Sequence, residues 1–423
     1  MNKLKLTALL ASAVLLLGAC GSNQGGPDVP GPGDPDEPGP PAAATCRMTV
    51  SGDITVPTLF ENGPEECDYW FPGTPGSFTG YRITSDVLIE PGTVLLFGQD
   101  VQLYVESGGR LTAVGTTDER IVFEGSTAVH GWWYGICFEE NRASRLDFVD
   151  VRWGGRAPSA TGSNCRGGVA GSWPGSVEPV HITNSTVSGS YTSGLSAHDL
   201  ILGDFSNNAF FNNAEYGVTA DAFEVHKLDT GTDYLGTESG ATNGKPFVYA
   251  GGTFTDPGES HVWSNLNAPY FVSESERYHY SPDLEVYDGT NLVFEAGTVL
   301  VFDGDSELYV RGASGIAMGG TPEAPVVLTG LKAERGSWNG VQISNSAAIL
   351  QNVQILWAGR DTLYQGSLAF IEVGEDTAGK IVDNVFIDGS SGCAVNVWHD
   401  DLSQFDPFDV SYGDNNEEEF CWR

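Results

Sequence analysis

The chain has 423 residues, and its 20 Lys and Arg face 56 Asp and Glu, which gives a formal net charge of −36. This balance excludes nucleic acid as a natural partner, because such binding relies on Lys and Arg that neutralise phosphates. Acidic polysaccharides would be repelled as well, although a local basic patch could compensate. We therefore expect the charge mainly to keep an exposed surface soluble.

The first twenty residues have the pattern of an export signal. Two lysines precede an apolar run from Leu6 to Leu17, and small residues then lead to Cys20. A charged start, a short apolar stretch and small residues before a cleavage point mark a secretory signal peptide. The ending "LGAC" resembles the lipobox of bacterial lipoproteins. That resemblance implies removal of residues 1–19 and lipidation of Cys20, and Gly21 resembles the sorting pattern for the outer membrane or cell surface.

Residues 20–45 predict a lipidated cysteine followed by a tether. The stretch "GSNQGGPDVPGPGDPDEPGPPAAA" is rich in Pro and Gly and has almost no apolar side chain to bury. Such a segment cannot offset the entropy that ordering would cost. Proline-rich chains extend at about 3.1 Å per residue, so this tether would reach up to roughly 70 Å from the lipid.

The rest of the chain contains a long internal repeat. "LIEPGTVLLFGQDVQLYV" begins at Leu88, and "VFEAGTVLVFDGDSELYV" begins at Val293, with ten of eighteen residues identical at an offset of 205. The likeness continues through "WYG" at Trp133 and "WNG" at Trp338. We predict two duplicated blocks, with residues 46–250 in the first and residues 251–423 in the second.

A shorter period lies inside the first block. "HITNSTVSGSYTSGLSA" from His181 is followed 23 residues later by "DFSNNAFFNNAEYGVTA" from Asp204. Apolar and polar residues alternate in short runs such as Val101–Glu106, which is typical of strands with one buried face. Asn and Gly recur at fixed places, such as Asn184 and Asn207, where turns need positive φ. An all-β fold follows.

The phrases "LIEPGTVLLF", "ERIVFEG", "WYGICF" and "FVDVRWGGR" resemble the right-handed parallel β-helix repeats of bacterial surface and secreted proteins. The resemblance covers most of the chain from about Tyr81 to Trp398. It implies a solenoid of stacked rungs in two duplicated blocks, and a fold that carries pectin-cleaving enzymes, adhesins and structural modules. A β-sandwich or a propeller is the alternative fold.

In such a solenoid the repeated phrases assign side chains to the inside and the outside. We expect Leu103, Val105, Leu308 and Val310 to point into the core, and the tyrosines between them, Tyr104 and Tyr309, to point outward. The end rungs need covers, because open strand edges invite aggregation. The segment at 45–80 and the acidic stretch at 400–423 are the natural caps.

Six cysteines follow Cys20, and in an exported chain they suggest disulfides. Three sequential pairs are the simplest of fifteen possible connectivities: Cys46–Cys67, Cys137–Cys165 and Cys393–Cys421. A zinc site is the alternative, although no Cys-x-x-Cys and no cluster of His accompanies these residues.

Residues with the chemistry of catalysis are scarce. Lyases of this fold need an Arg or Lys base, and the chain has only four lysines after its signal segment. The hydrolases of the fold share several motifs, of which only an Asp-Asp pair, Asp400 and Asp401, is present here. Two carboxylates at a suitable separation can act as acid and base, but we do not expect catalysis at this pair.

The acidic run "DGDSE" offers calcium ligands at Asp303, Asp305 and Glu307. Its copy in the first block, "GQDVQ", keeps only the middle acid. We expect a solvated turn here, with calcium as the alternative and no other cofactor.

Aromatic residues are the remaining positive signal. Trp133 and Trp338 are equivalent in the two blocks, as are Trp153 and Trp357, so we expect both pairs to pack between rungs. The aromatic residues without a counterpart are better candidates for a surface that stacks on sugars, with His130 nearby: Trp132, Tyr134, Trp173 and Trp263.

These features predict a lipid-anchored bacterial cell-surface protein. We expect a non-catalytic role in binding a glycan, a matrix component or a partner protein. The alternative is a polysaccharide lyase or glycoside hydrolase with an unrecognised site.

Overall fold

A computed structural model of the chain describes residues 46–156, 165–172, 175–273, 283–360, 366–371, 379–398, 409–414 and 416–422. Several predictions fall outside the described residues. These are the signal peptide, Cys20 and the tether, together with Trp173 and the pair Asp400 and Asp401.

Nearly all regular structure in the described residues is β. The first nineteen strands are β1 (Met48–Thr49), β2 (Thr58–Phe60), β3 (Tyr69–Phe71), β4 (Thr79–Ile83), β5 (Asp86–Ile89), β6 (Val94–Phe97), β7 (Val101–Val105), β8 (Arg110–Val114), β9 (Ile121–Gly125), β10 (Gly135–Phe138), β11 (Ser144–Asp147), β12 (Val149–Arg152), β13 (Gly167–Gly171), β14 (Val180–Thr183), β15 (Thr186–Ser188), β16 (Ser193–Ala197), β17 (Leu202–Ser206), β18 (Ala209–Phe211) and β19 (Val218–Asp221). One turn of 3-10 helix, Val225–Lys227, follows them. No helix among the described residues is long and apolar enough to span a membrane.

The later strands are β20 (Val248–Thr255), β21 (Ser260–Trp263), β22 (Tyr270–Ser273), β23 (Leu284–Tyr287), β24 (Asn291–Phe294), β25 (Val299–Asp303), β26 (Glu307–Val310), β27 (Gly315–Gly319), β28 (Val326–Gly330), β29 (Gly340–Ser344), β30 (Ala347–Leu356), β31 (Gly366–Ile371), β32 (Lys380–Asp388), β33 (Cys393–Trp398), β34 (Val410–Tyr412) and β35 (Glu418–Trp422). The prediction of an all-β fold is therefore confirmed.

The first block forms three parallel sheets that the chain visits in rotation. Sheet A contains β1, β3, β6, β9, β12, β15 and β18, and sheet C contains β2, β5, β8, β11, β14 and β17. Sheet B begins with β4, β7, β10, β13, β16 and β19. From β2 to β16, each strand pairs with the strand three places later, so these successive turns of the chain lie directly on one another.

The sheets change at the junction between the blocks. Sheet B continues through the first half of β20 into β22, β25, β28 and the second halves of β30 and β32. The second half of β20 starts a new sheet D with β23, β26, β29, β31, β33 and β35. Strands β21, β24 and β27 and the first halves of β30 and β32 form sheet E. The predicted block boundary at residue 250 falls inside β20.

The alternation of apolar residues places one face of each strand in a continuous core. Leu103, Val105, Leu308 and Val310 are all buried in this core, as the repeat predicted. Tyr104 lies outside it, in a separate cluster with Phe78 and the disulfide of Cys137, and Tyr309 is half-buried. The inward and outward assignment of the repeated phrase is therefore confirmed.

Asparagine residues carry the tight turns between sheets C and A. Asn184 and Asn207 have φ values of 51° and 55°, which confirms the prediction of positive φ at these positions.

Buried asparagines also replace strand pairing at the turn between sheets A and B. The Asn213 side-chain oxygen accepts the Ser190 N–H at 3.0 Å, and the Asn243 side-chain oxygen accepts the Asn213 N–H at 3.1 Å. Because buried N–H groups are costly when unpaired, these side chains stabilise the turns.

All three sequential disulfides are present, with Cα–Cα distances of 4.4, 6.0 and 5.7 Å for Cys46–Cys67, Cys137–Cys165 and Cys393–Cys421. The prediction of this pairing is confirmed. In the described part of the chain, the one group of three side chains arranged like metal ligands is Cys393, Glu418 and Cys421. Its two sulfurs are bonded to each other, so they are not the thiolates that zinc requires.

Glu224 makes the junction sensitive to pH. Its carboxylate is buried and accepts the Leu202 N–H at 2.9 Å, at the first residue of β17, which is the last strand of sheet C. Burial raises the pKa of Glu224 from 4.5 to about 7, against the opposing effect of that hydrogen bond. The folded chain therefore holds a proton that the unfolded chain releases, and the stability it contributes is complete below about pH 4.5 and lost as the pH rises through about 7.

A Glu224→Gln variant should remove this dependence. Glutamine keeps an oxygen for the Leu202 N–H but carries no charge, so the variant should exceed the native protein in unfolding free energy at pH 8 by a few kcal/mol, on the order of the pKa shift. At pH 4 the two should be close. Urea unfolding at both pH values measures this, with exposed Glu259→Gln as the control. Equal differences at pH 4 and pH 8 would contradict the assignment.

Candidate functional site

The loops between sheets A and B of the first block form a projecting corner. We define the first corner as residues 126–134, 153–156 and 189–191. Trp133 anchors it from inside, because its ring stacks on Phe97 at 4.0 Å and its Nε1 donates to the Arg152 carbonyl at 2.9 Å. With Trp133 fixed in the core, the neighbouring Trp132 is carried outward on a rigid backbone.

Trp153 holds the outer layer of the corner. It adopts a φ of 62°, and Gly189 passes so close to its ring that a Cβ at that position would lie 2.3 Å from Cε3. The ring of His130 meets Trp153 edge-on at 5.7 Å, and its Nε2 lies 2.8 Å from the Asn212 carbonyl oxygen. A glycine is required at 189 because only a side chain of zero length fits against the indole.

The second block repeats this scaffold. We define the second corner as residues 331–339, 357–360 and 389–391. Trp338 stacks on Phe302 at 4.1 Å and donates to the Leu356 carbonyl at 2.9 Å. Trp357 has a φ of 62°, and a Cβ at Gly389 would lie 2.2 Å from its Cε3. The prediction that both tryptophan pairs pack between rungs is confirmed.

An ion pair is repeated as well. The Arg156 guanidinium lies 2.6 Å from the Asp100 carboxylate in the first corner, and Arg360 lies 3.2 Å from Asp305 in the second. The Asp100 carboxylate also accepts the Gly76 N–H. The two corners therefore share their interior packing, their unusual backbone angles and their charge pair.

The outer side chains of the corners differ. Trp132 corresponds to Ser337 and Tyr191 to Ser391, while Val129 corresponds to Glu334 and His130 to Arg335. In the first corner Val129 and Tyr191 are 42% and 37% exposed, and Trp132 is half-buried with its Nε1 donating to Ser126 Oγ at 3.0 Å. One scaffold thus carries an aromatic surface in the first block and a polar surface in the second.

Tyr134 lies beneath this surface. It is 4% exposed, with Phe78 edge-on at 5.4 Å and the Arg156 guanidinium 5.9 Å from its ring. Its ring supports the corner from below, and a ligand at the surface would meet Trp132 before it.

Trp263 requires a correction. It is 0% exposed and packs in the core against Tyr270 at 4.9 Å and Phe294 at 5.5 Å, so no surface ligand can stack on it. It does have a counterpart in the first block, because the register places Trp263 on Phe294 and Phe60 on Ile89, and Ile89 and Phe294 are 205 residues apart. The offset at this strand is 203, which hides the match when a single offset is applied.

The three calcium candidates do not form a cluster of ligands. Ser306 Oγ donates to the Asp303 carbonyl at 2.7 Å and closes a tight turn, Asp305 pairs with Arg360, and Glu307 accepts a hydrogen bond from Gln342 at 2.7 Å. Their carboxylates do not gather into a three-ligand cluster, since within the described ranges only the cysteine group noted above does so. A polar turn accounts for these acids.

Comparison of the chain with models of protein families, with curated proteins and with solved structures finds no significant match. The second corner serves as a reference for the first, since both stand on the same scaffold within one molecule.

The close approach of glycine to tryptophan should be required for the first corner. Gly189→Ala should lower the free energy of unfolding by about 3 kcal/mol, because the new methyl group would collide with Trp153. Gly240→Ala is the matched control, since Gly240 has a φ of 76° but nothing within 4 Å of its Cβ position. That variant carries only the backbone cost of about 1 kcal/mol. Denaturant unfolding of both measures the difference, and equal losses would show that the contact with Trp153 is unimportant.

Proposed function

We propose that this chain is a lipid-anchored bacterial surface protein whose right-handed parallel β-helix carries a non-catalytic binding site for a neutral polysaccharide. The three parallel sheets visited in rotation support the helical path, and parallel crossover connections are right-handed in about 98% of cases. The repeated corner scaffold supports a duplication of one block.

The anchor is supported by the sequence of the first twenty residues and by the tether that follows. Lipid on Cys20 would hold the protein at the membrane, and residues 21–44 would set the folded part away from it. A Cys20→Ser variant should leave the membrane fraction for the soluble fraction. Unchanged partition would contradict the lipid anchor.

The observation that carries the binding function is the aromatic surface of the first corner. Trp132 is held by its hydrogen bond to Ser126, so its ring is oriented before any ligand arrives. Aromatic rings offer a flat apolar face with a polar edge, and the C–H face of a sugar ring is its natural complement. Loops that project from a rigid scaffold are also where binding residues concentrate.

Charge selects the kind of polysaccharide. The chain carries 36 more negative than positive formal charges, so a polyanionic glycan would meet overall repulsion. A neutral polymer is free of this cost. A single aromatic contact is weak, and several sugar units bound in succession would add to it.

Affinity electrophoresis tests this function directly. The acidic full chain, in mild non-ionic detergent, migrates through native gels that contain β-glucan, galactomannan or arabinoxylan, and retardation reports binding. Trp132→Ser, which copies the second corner, should weaken binding roughly fivefold or more, as expected for loss of an aromatic contact. Ser337→Ala should behave like the native chain.

Two results would contradict the proposal. One is the absence of retardation of the native chain in all three gels, and the other is equal retardation of the native chain and Trp132→Ser. New reducing ends in the polysaccharide would favour a hydrolase or a lyase, and Asp400 and Asp401 would be the first residues to replace.

A further inference from the structure

The outer surface of sheet D carries a group of stacked polar and aromatic side chains. Tyr287 ends β23, Tyr309 lies on β26, and Arg311 follows β26. The Arg311 guanidinium carbon lies 4.6 Å from the centre of the Tyr287 ring and 5.2 Å from that of Tyr309. Cation–π contacts of this kind hold the guanidinium and the rings in fixed relation.

The Tyr287 ring packs closely against a glycine. Gly312 has a φ of 69°, and a Cβ there would lie 2.8 Å from Cε2 and 2.9 Å from Cδ2 of Tyr287. The glycine backbone therefore packs directly on the tyrosine, as Gly189 does on Trp153. Tyr287 nevertheless remains 40% exposed, so the ring is held in place while part of its surface stays open to solvent.

Arg311 keeps hydrogen-bonding capacity beside this ring. A guanidinium has five N–H donors. In the described part of the chain, the side-chain hydrogen bond that Arg311 makes runs from Nη2 to Glu285 at 3.5 Å, and its side chain is 41% exposed. The Glu285 carboxylate accepts a second hydrogen bond from Thr253 Oγ1 at 3.2 Å.

The first block has an equivalent stack of an arginine on a tyrosine, which we call the closed stack because a short ion pair holds its arginine. Tyr104 corresponds to Tyr309, and Arg82 lies over its ring at 5.6 Å, but Arg82 is also bound to Glu106 at 2.8 Å. Arg82 pairs with Tyr104 and Glu285 pairs with Tyr309, so Arg82 corresponds to Glu285, while Glu106 corresponds to Arg311. The second block therefore keeps the ion pair with its two charges exchanged, at 3.5 Å instead of 2.8 Å.

The two blocks also differ at two further places on this surface. Ser107 corresponds to Gly312, and Tyr287 lies in a connection, residues 287–290, that is two residues longer than residues 84–85 of the first block. The second block thus adds an oriented tyrosine ring, packed on a glycine, beside an ion pair that is longer than the one in the first block. Stability alone gives no reason for this exchange, since it loosens the pair of charges.

We propose that Tyr287, Arg311 and Glu285 form a second binding site, which takes a neutral sugar ring with two adjacent hydroxyl groups. The C–H face of the sugar stacks on Tyr287. Arg311 donates to one hydroxyl oxygen, and Glu285 accepts from the neighbouring hydroxyl. Because the arginine and glutamate charges compensate each other, the site needs no charge on its ligand. This inference rests on the proposed function and adds a site on the second block.

The test uses the full chain in native gels with the same three polysaccharides, where retardation at several polymer concentrations gives an affinity. Tyr287→Ala and Arg311→Gln should each weaken binding roughly fivefold, the size expected for an aromatic contact or a hydrogen bond. Tyr287→Phe keeps the ring and should bind like the native chain. Arg82→Gln, in the closed stack of the first block, is the matched control and should also bind like the native chain.

The variants separate failure of this site from failure of the first corner. Native affinity in Tyr287→Ala and Arg311→Gln, with weakened binding in Trp132→Ser, would overturn the second site alone. The reverse pattern would support the second site and overturn the first corner. No retardation of the native chain in any gel would overturn both. Thermal unfolding of each variant shows whether a loss of binding is a loss of fold. If Tyr287→Ala is unfolded, the site is tested by Tyr287→Phe and Arg311→Gln. Native binding by Tyr287→Phe with weakened binding by Arg311→Gln supports the site, and native binding by both overturns it.

Discussion

The ladder of main-chain hydrogen bonds between successive turns of the chain is the constraint on which this structure depends. Each strand must lie about 4.8 Å from the strand of the turn before it, and the apolar side chains then fall into one continuous core. The corners must change direction without leaving buried N–H groups unpaired. Asn213 and Asn243 meet this need with side-chain oxygens, and Trp153 and Gly189 meet it with an unusual backbone angle and a close contact.

The junction shows how this constraint is kept when the blocks meet. Sheet B continues without a break, sheet A ends at β18, and sheet D begins on the second half of β20. Equivalent strands of the two blocks consequently lie in different sheets: β6 is in sheet A and its counterpart β25 is in sheet B. Equivalent surface positions therefore have different surroundings, and two copies of one sequence can present different surfaces.

Sequence alone predicted those features that follow from repetition. Strand alternation, the inward position of Leu103 and Leu308 and the packing of Trp133 and Trp338 followed from spacing and repetition. The disulfide pairs were the simplest of the fifteen possible connectivities. Trp263 was assigned to the surface because the offset of 205 leaves it without a counterpart, whereas two residues inserted after it, between Val286 and Asn291, make the offset 203 at this strand and match it to Phe60.

Other features could not be predicted from the sequence. Tyr134 depends on Phe78 and Arg156 for its burial, and these residues come from other turns of the chain. The exchange of sheets at the junction leaves no mark in the strand pattern, because alternation does not say which sheet a strand will join. The Tyr287 and Arg311 group is spread over two successive turns, and only the pairing of β23 with β26 brings it together.

The central claim is that one scaffold, present twice, binds a polysaccharide at its aromatic copy and not at its polar copy. Hydrogen exchange of the full chain, followed by mass spectrometry with and without a polysaccharide that retards it, tests this most directly. We expect slower amide exchange at residues 126–134 when the polymer is present and no change at residues 331–339. Equal protection of both corners, or protection of the second corner alone, would contradict it.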